Sequence, residues 1–350
     1  MDEAKALVSA RDITVSFTRK RGIPFFSSPS VLTAVKRVSF DLYKGETVGV
    51  VGESGSGKST LGRAVMQLAT LQEGVILWKG KTYQETQAED SLALRRNMQV
   101  IFQDPLAALD PRMTVGDQVE EPLRTHRPDL SQGERDAAVR EMLSKVGIRP
   151  ELAGRYPHEF SGGQAQRIAI ARALILRPQL IVCDEAVSSL DVSIQAQIIS
   201  LLMELQEEFG VAFLFISHDL AVVRRICDRV LVLYLGKIME EADRETLFSR
   251  PSHPYTRALL ASVPVLDPAW ARSNENFILH GELPSPLSPP SGCVFRTRCP
   301  RAQKLCAEVE PGLQGDRPGH RFACHFPYDE PLVAATEYAA GSSDAHAIER

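Results

Sequence analysis

Three short apolar runs without polar alternation read as strands. They lie within ETVGVVG (Glu46 to Gly52), LIVCDE (Leu180 to Glu185) and AFLFISHD (Ala212 to Asp219). Runs of this kind suit strands buried on both faces, as in a parallel sheet. The first passes straight into a helical pattern, LGRAVMQLA, and a helix over Ile194 to Phe209 with Gly210 as its stop separates the other two. From Leu7 to about Phe40 the pattern is short and alternating, as in strands, with a Pro-, Ser- and Arg-rich loop from Arg19 to Ser30. The region from about Asp104 to Leu176 is mostly helical by pattern, with turns at Pro128 and Pro157. RVLVLYLGKIMEE predicts a hairpin turning near Leu235 and Gly236. Strands alternating with helices indicate an α/β class with a parallel core.

The pattern changes near Arg250. From there to about Pro327 the chain is rich in Pro and Cys and poor in long periodic runs, and the Ala/Ser-rich residues beyond are expected to fray. The expected division is a domain over 5–250, a small module over 251–328 and a flexible tail over 329–350. Hydrophobic residues make up 44% and charged residues 24% of the 350, an ordinary globular balance. A net charge of −4 gives no pull toward nucleic acid. No apolar run has the length to span a bilayer, and the acidic start lacks a signal peptide's pattern, so the chain reads as cytosolic. In a reducing compartment the six cysteines argue against structural disulfides.

Candidate chemistry begins at Gly52-Glu-Ser-Gly-Ser-Gly57-Lys58-Ser59, which fits G-x-x-x-x-G-K-[ST] between a buried strand and a helix. Glycines at this spacing let main-chain N–H groups turn inward around phosphate oxygens, and the following helix aims its positive end at the same anion. Gly52, Ser54, Gly55, Ser56, Gly57 and Thr60 are therefore expected in the cradle. Lys58 would supply a point charge to the phosphates and Ser59 a hydroxyl to Mg²⁺. LIVCDE ends in two carboxylates: Asp184 would hold Mg²⁺ and Glu185 would be the general base for the attacking water. Cys183 is most simply a small core residue.

A second Gly-rich helix start, Phe160-Ser161-Gly162-Gly163-Gln164, has no use for the same triphosphate. It makes sense if it closes on ATP held by another subunit. With AQRIAIARAL behind it, this segment resembles the signature motif of ABC ATPases, and the other motifs of that family follow in order. Gln103 in FQDP resembles the Q-loop glutamine, a contact to Mg²⁺ and water. Ser188 to Asp191 resemble the D-loop at a dimer interface, and His218 resembles the switch histidine that contacts the γ-phosphate. The resemblance covers roughly Leu7 to Arg250. It implies a P-loop NTPase with a RecA-like core, an antiparallel β edge and a helical subdomain bearing the signature. Ser161, Gly162, Gly163, Gln164 and Asp191 would then touch nucleotide across a head-to-tail pair. An adenine-stacking aromatic is expected before the P-loop; Phe17 is the choice, with Phe25 and Phe26 as competitors.

Beyond the core, His253-Pro254-Tyr255 and ELPSPLSPPSGCVFRTRCP resemble the C-terminal part of oligopeptide and dipeptide importer ATPases. That resemblance implies a second, related ATPase subunit, two membrane-spanning permease subunits and an extracytoplasmic substrate-binding protein. It also implies a place at the cytoplasmic face of the plasma membrane and ATP-driven import of peptides or related solutes. Ala186 stands where many ABC ATPases have proline. Cys293, Cys299, Cys306 and Cys324 form C-x5-C-x6-C-x17-C. Four thiolates can hold zinc or an iron–sulfur cluster. The missing C-x2-C disfavours zinc, free thiols stay open, and the family resemblance implies a four-iron four-sulfur cluster. The competing class is a soluble ABC ATPase acting on nucleic acid or ribosomes, but this chain has no tandem domain, long insertion or basic arm.

Overall fold

The computed structural model describes residues 5–19, 30–262 and 281–332. The loop aromatics Phe25 and Phe26, and most of the expected tail, lie outside the described residues. Twelve strands are seen: β1 Val8–Arg19, β2 Ser30–Leu42, β3 Thr47–Val51, β4 Glu73–Trp78, β5 Lys81–Thr82, β6 Met98–Ile101, β7 Leu180–Asp184, β8 Ala212–Ile216, β9 Arg229–Tyr234, β10 Lys237–Asp243, β11 Gln314–Arg317 and β12 His320–Phe322. The α-helices are α1 Lys58–Val65, α2 Tyr83–Glu89, α3 Ala93–Asn97, α4 Val115–His126, α5 Gln132–Lys145, α6 Gly162–Leu174, α7 Val192–Phe209, α8 Leu220–Ile226, α9 Arg244–Ser249, α10 Pro254–Ala261 and α11 Lys304–Glu308.

The three apolar runs become β3, β7 and β8, with nearly every residue buried. They sit inside one sheet ordered β11-β12-β10-β9-β3-β8-β7-β6. Pairing is parallel from β9 through β6, with Val48 beside Leu214 and Val182 beside the same Leu214. Continuous apolar sequence is what this position demands, because helices and a second sheet cover the two faces. On one face lies the antiparallel sheet β2-β1-β4-β5. Its strand β1 turns Val8, Ala10, Ile13 and Val15 inward, with a bulge at Asp12 (φ 48°) that restores the inward phase. On the other face, α4, α5 and α6 pack Val119, Leu143 and Ile168 into the larger core.

Local signals end these elements where expected. Gly210 closes α7 in the left-handed region (φ 63°), and Leu235 (φ 46°) with Gly236 (φ 78°) forms the two-residue loop between β9 and β10. Cys183 is fully buried, as is Cys227, which caps α8 instead of lying within it.

The C-terminal segment is less separate than its composition suggests. Strand β12 pairs antiparallel with β10, so the main sheet continues into it. Cys293, Val294, Phe295 and Cys306 belong to the same buried cluster as α6 and α7. The joint is fixed by Glu240, which is fully buried and carries three donors. Its carboxylate accepts from the main-chain N–H of Ser252 (2.6 Å) and of His253 (3.0 Å), and pairs with His320 Nε2 (2.7 Å). Burial drives the His253 pKa down to about 4, so its imidazole is neutral, and Nδ1 caps α10 by accepting from the Tyr255 N–H (3.0 Å). Replacing Glu240 with Ala strands these buried donors, and is expected to cost about 3 kcal/mol of stability in a denaturant titration. A loss below about 1 kcal/mol would show that the carboxylate does not hold the joint.

Candidate active site

Parallel pairing sends the carboxyl ends of β3, β8, β7 and β6 to one edge of the sheet. Immediately beyond those ends stand residues 52–59, His218, Asp184 with Glu185, and Gln103.

The Gly-rich loop is shaped by backbone that other residues avoid. Gly52, Gly55 and Gly57 have φ of 147°, 79° and 104°. A Cβ on Gly52 would stand 2.2 Å from the Leu233 carbonyl, and one on Gly57 2.2 Å from the Ala34 carbonyl. The loop is thus wedged between β2 and the end of β9, and no side chain fits at either place. Gly57 caps α1, whose first residue is Lys58. Lys58 Nζ donates to the carbonyls of Gly52 (2.8 Å) and Glu53 (2.9 Å). Burial lowers its pKa, and the nearby charges of Glu185, Asp184 and Glu53 oppose that shift. Ser56 is fully buried and its hydroxyl has no partner among the described residues. Ser54, Gly55 and Thr60 complete the same loop and first helical turn.

Ser59 Oγ donates to Asp184 Oδ1 at 2.7 Å, bringing together a hydroxyl from the first turn of α1 and a carboxylate oxygen from the end of β7. This hard-oxygen pair is the donor chemistry that Mg²⁺ takes alongside water and phosphate. Glu185 follows in the left-handed region (φ 52°), unusual for a residue with a side chain. Its N–H donates to the Ile216 carbonyl (3.0 Å), and its carbonyl accepts from Ser188 Oγ (2.9 Å), which holds the turn. The carboxylate therefore faces His218, whose Nδ1 lies 3.5 Å from Glu185 Oε2. Gln103 joins from β6: its amide donates to Ser188 Oγ (3.4 Å), and its carbonyl accepts from Ser189 Oγ (3.3 Å).

Phe17 lies near the end of β1, is 47% exposed and pairs with Leu32, two residues from the Ala34 that abuts Gly57. The expected aromatic thus lies on the strand end beside the loop. The second Gly-rich helix start stands apart. Ser161 caps α6, its Oγ accepting from the Gln164 N–H (3.4 Å) while its N–H donates to Gln164 Oε1 (3.1 Å). Gly163 leaves no room for a Cβ, which would meet Ile194 at 2.6 Å. Ser161, Gly162 and Gln164 are exposed, and among the described residues none hydrogen-bonds to residues 52–60. Asp191 starts α7 without a side-chain capping bond.

Cys293, Cys299, Cys306 and Cys324 line one cavity together with His253, Phe295, Arg296, Arg301 and His325. Burial raises the thiol pKa of Cys299 to about 11 and of Cys324 to about 12. Among the described residues, no three His, Cys, Asp or Glu side chains are gathered closely enough to hold a metal ion.

Two contacts at the loop carry no local signal in the sequence. The Glu53 N–H donates to the Tyr255 hydroxyl (2.9 Å), and its carboxylate meets Arg298 through two bonds of 2.6 and 2.9 Å. Both partners stand more than two hundred residues away along the chain.

The family model for ABC transporters matches residues 35–188, and that for the oligopeptide/dipeptide transporter C-terminal region matches residues 239–306. The oligopeptide transport ATP-binding protein OppF of Salmonella typhimurium is 52% identical over 90% of this chain and 95% of its own length. OppF of Escherichia coli is 53% identical over 89% and 93%, and AppF of Bacillus subtilis 51% over 92% and 97%. Among solved structures, cbiO1 of Clostridium perfringens, part of an ABC transporter complex, is similar with a TM-score of 0.59 at 25% identity, over 70% of this chain and 91% of that one. The cassette MJ0796, solved as a dimer with ADP and Pi, has a TM-score of 0.58 at 30% identity, over 68% and 98%. The strand-end constellation and these likenesses agree, and the chain belongs to the ATP-binding subunits of ABC transporters, in the group that carries the oligopeptide/dipeptide transporter C-terminal region.

Proposed function

We propose that the chain energises import of peptides or related small solutes by binding and hydrolysing ATP at the edge of its main sheet. The observation that carries this reading is the convergence of Lys58, Ser59, Asp184, Glu185 and His218, while the Gly-rich start of α6 is exposed. In this reading Lys58 leaves the carbonyls of Gly52 and Glu53 for the β- and γ-phosphates, and main-chain N–H groups of 54–60 cradle them. Ser59, Asp184 and Gln103 would hold Mg²⁺, directly or through water, and the ion neutralises charge on the phosphates. Glu185 accepts the proton of the attacking water, and His218 orients the γ-phosphate beside it. Phe17 offers its exposed ring to the adenine. Ser161, Gly162, Gly163 and Gln164, with Asp191, would meet nucleotide held by an opposing ATPase subunit of related sequence. Binding then closes the pair and hydrolysis opens it.

Two permease subunits and an extracytoplasmic binding protein complete the importer in this reading, and the chain would sit on the cytoplasmic face of the membrane as a peripheral subunit. Among the described residues no helix is long and apolar enough to cross a membrane. A groove lined by Phe102, Leu109, Pro122 and Ala173 adjoins Gln103 and is suited to receive a permease segment.

In this reading the four C-terminal cysteines, which line one cavity, would hold a four-iron four-sulfur cluster. Arg296 and Arg301 line the same cavity with charge opposite to that of ligated thiolates.

Three outcomes test these assignments. Glu185→Gln should keep MgATP binding and lower turnover by at least about 100-fold; wild-type turnover would remove Glu185 from the base role. Lys58→Ala should lose MgATP binding in equilibrium titration, and unchanged affinity would sink the phosphate-loop reading. Protein purified anaerobically should carry about four irons per chain and lose them in Cys293→Ser. An iron-free wild-type chain would exclude the cluster.

A further inference from the structure

We infer that Arg298, in the cysteine-bearing segment, is a positioning residue for ATP binding: it holds and neutralises Glu53 inside the phosphate loop, so that the C-terminal module braces the nucleotide site. The inference rests on residues 52–59 being the phosphate loop.

Glu53 is an awkward residue for its place. It follows Gly52 directly, and its carboxylate lies near enough to Lys58 to favour that ammonium's charge. A triphosphate drawn to Lys58 would therefore meet a carboxylate of like sign at short range, where the repulsion is worst in a partly desolvated cleft. The fork of Arg298 takes both carboxylate oxygens, at 2.6 and 2.9 Å. The Arg298 side chain is only 6% exposed and that of Glu53 26%, so water cannot take over the pairing cheaply. The same contact ties the carboxylate to the module.

Arg298 can do this because its own segment is rigid. Phe295 is fully buried, with its ring against Tyr234 (5.3 Å between centroids) and Tyr255 (5.2 Å). The Arg298 N–H donates to the Phe295 carbonyl (3.0 Å), and the Cys293 N–H donates to the Cys306 carbonyl (2.8 Å). The segment between Cys293 and Cys299 is thereby tied at both ends of its turn. Tyr255 adds the hydroxyl that accepts the Glu53 N–H, and Leu283 stands 3.9 Å from the position of a Cβ on Gly55. Glu53 is thus held by its N–H, its carbonyl and its carboxylate, two of the three from beyond residue 250.

The test is equilibrium binding of MgATP to the full chain, read by calorimetry, for wild type, Lys58→Ala, Arg298→Gln, Arg298→Lys, Glu53→Gln and the double variant Arg298→Gln/Glu53→Gln. Arg298→Gln should weaken binding by about tenfold or more, because it leaves the carboxylate unpaired. Arg298→Lys, which keeps the charge without the fork and is the gentler change for folding, should weaken it by about threefold. Glu53→Gln alone should bind at least as tightly as wild type. The double variant should recover to within about threefold of wild type, a rescue that a merely structural arginine would not show. Wild-type affinity in Arg298→Gln, or a double variant no tighter than Arg298→Gln, would overturn the inference while Lys58→Ala still loses binding. If Lys58→Ala binds normally, the phosphate-loop reading itself has failed.

Discussion

The parallel pairing of β3 with β8, and of β8 with β7, is the constraint from which the rest of the site follows. It brings three loops, distant in sequence, to one sheet edge and leaves only short distances between them. Ser59 can then bond to Asp184, and His218 can stand beside Glu185, with no long side-chain reach in either case. The same pairing needs strands apolar on both faces, which is why the chemistry begins just where each apolar run stops. The left-handed Glu185 is the local strain that this arrangement stores, and the Ile216 carbonyl and Ser188 hydroxyl hold it in place.

What the sequence disclosed and what it hid divide by range. The phosphate loop, the Asp184–Glu185 pair, the three buried strands, the Gly210 stop and the Leu235–Gly236 turn all depend on neighbours in the chain, and their residue types announce them. The docking of the C-terminal segment does not. Its two-strand pairing is only Glu240 with Phe322 and Glu241 with Arg321, too short for any periodicity to reveal. Glu53 with Arg298, and Glu240 with His320, join polar side chains that look like solvated surface residues until the fold closes around them. The cysteine spacing left the geometry of the four thiols open. The four thiols do share one cavity, yet among the described residues they do not converge as a single ion would require.

The C-terminal region thus stands in a double relation to the ATPase. It prolongs the main sheet through β12, and it reaches the phosphate loop through Tyr255 and Arg298. The cysteine cavity lies one short turn from Arg298, whose guanidinium pairs with Glu53.

The central claim is that the two anion-binding helix starts of this chain, α1 and α6, serve different ATP molecules. It is tested most directly by titrating MgATP into the isolated Ser161→Arg chain and then assaying ATPase activity of the assembled transporter carrying it. The account predicts wild-type affinity in the isolated chain and loss of hydrolysis in the assembly. Loss of MgATP affinity in the isolated Ser161→Arg chain would show that α6 serves the chain's own nucleotide, and would contradict the account.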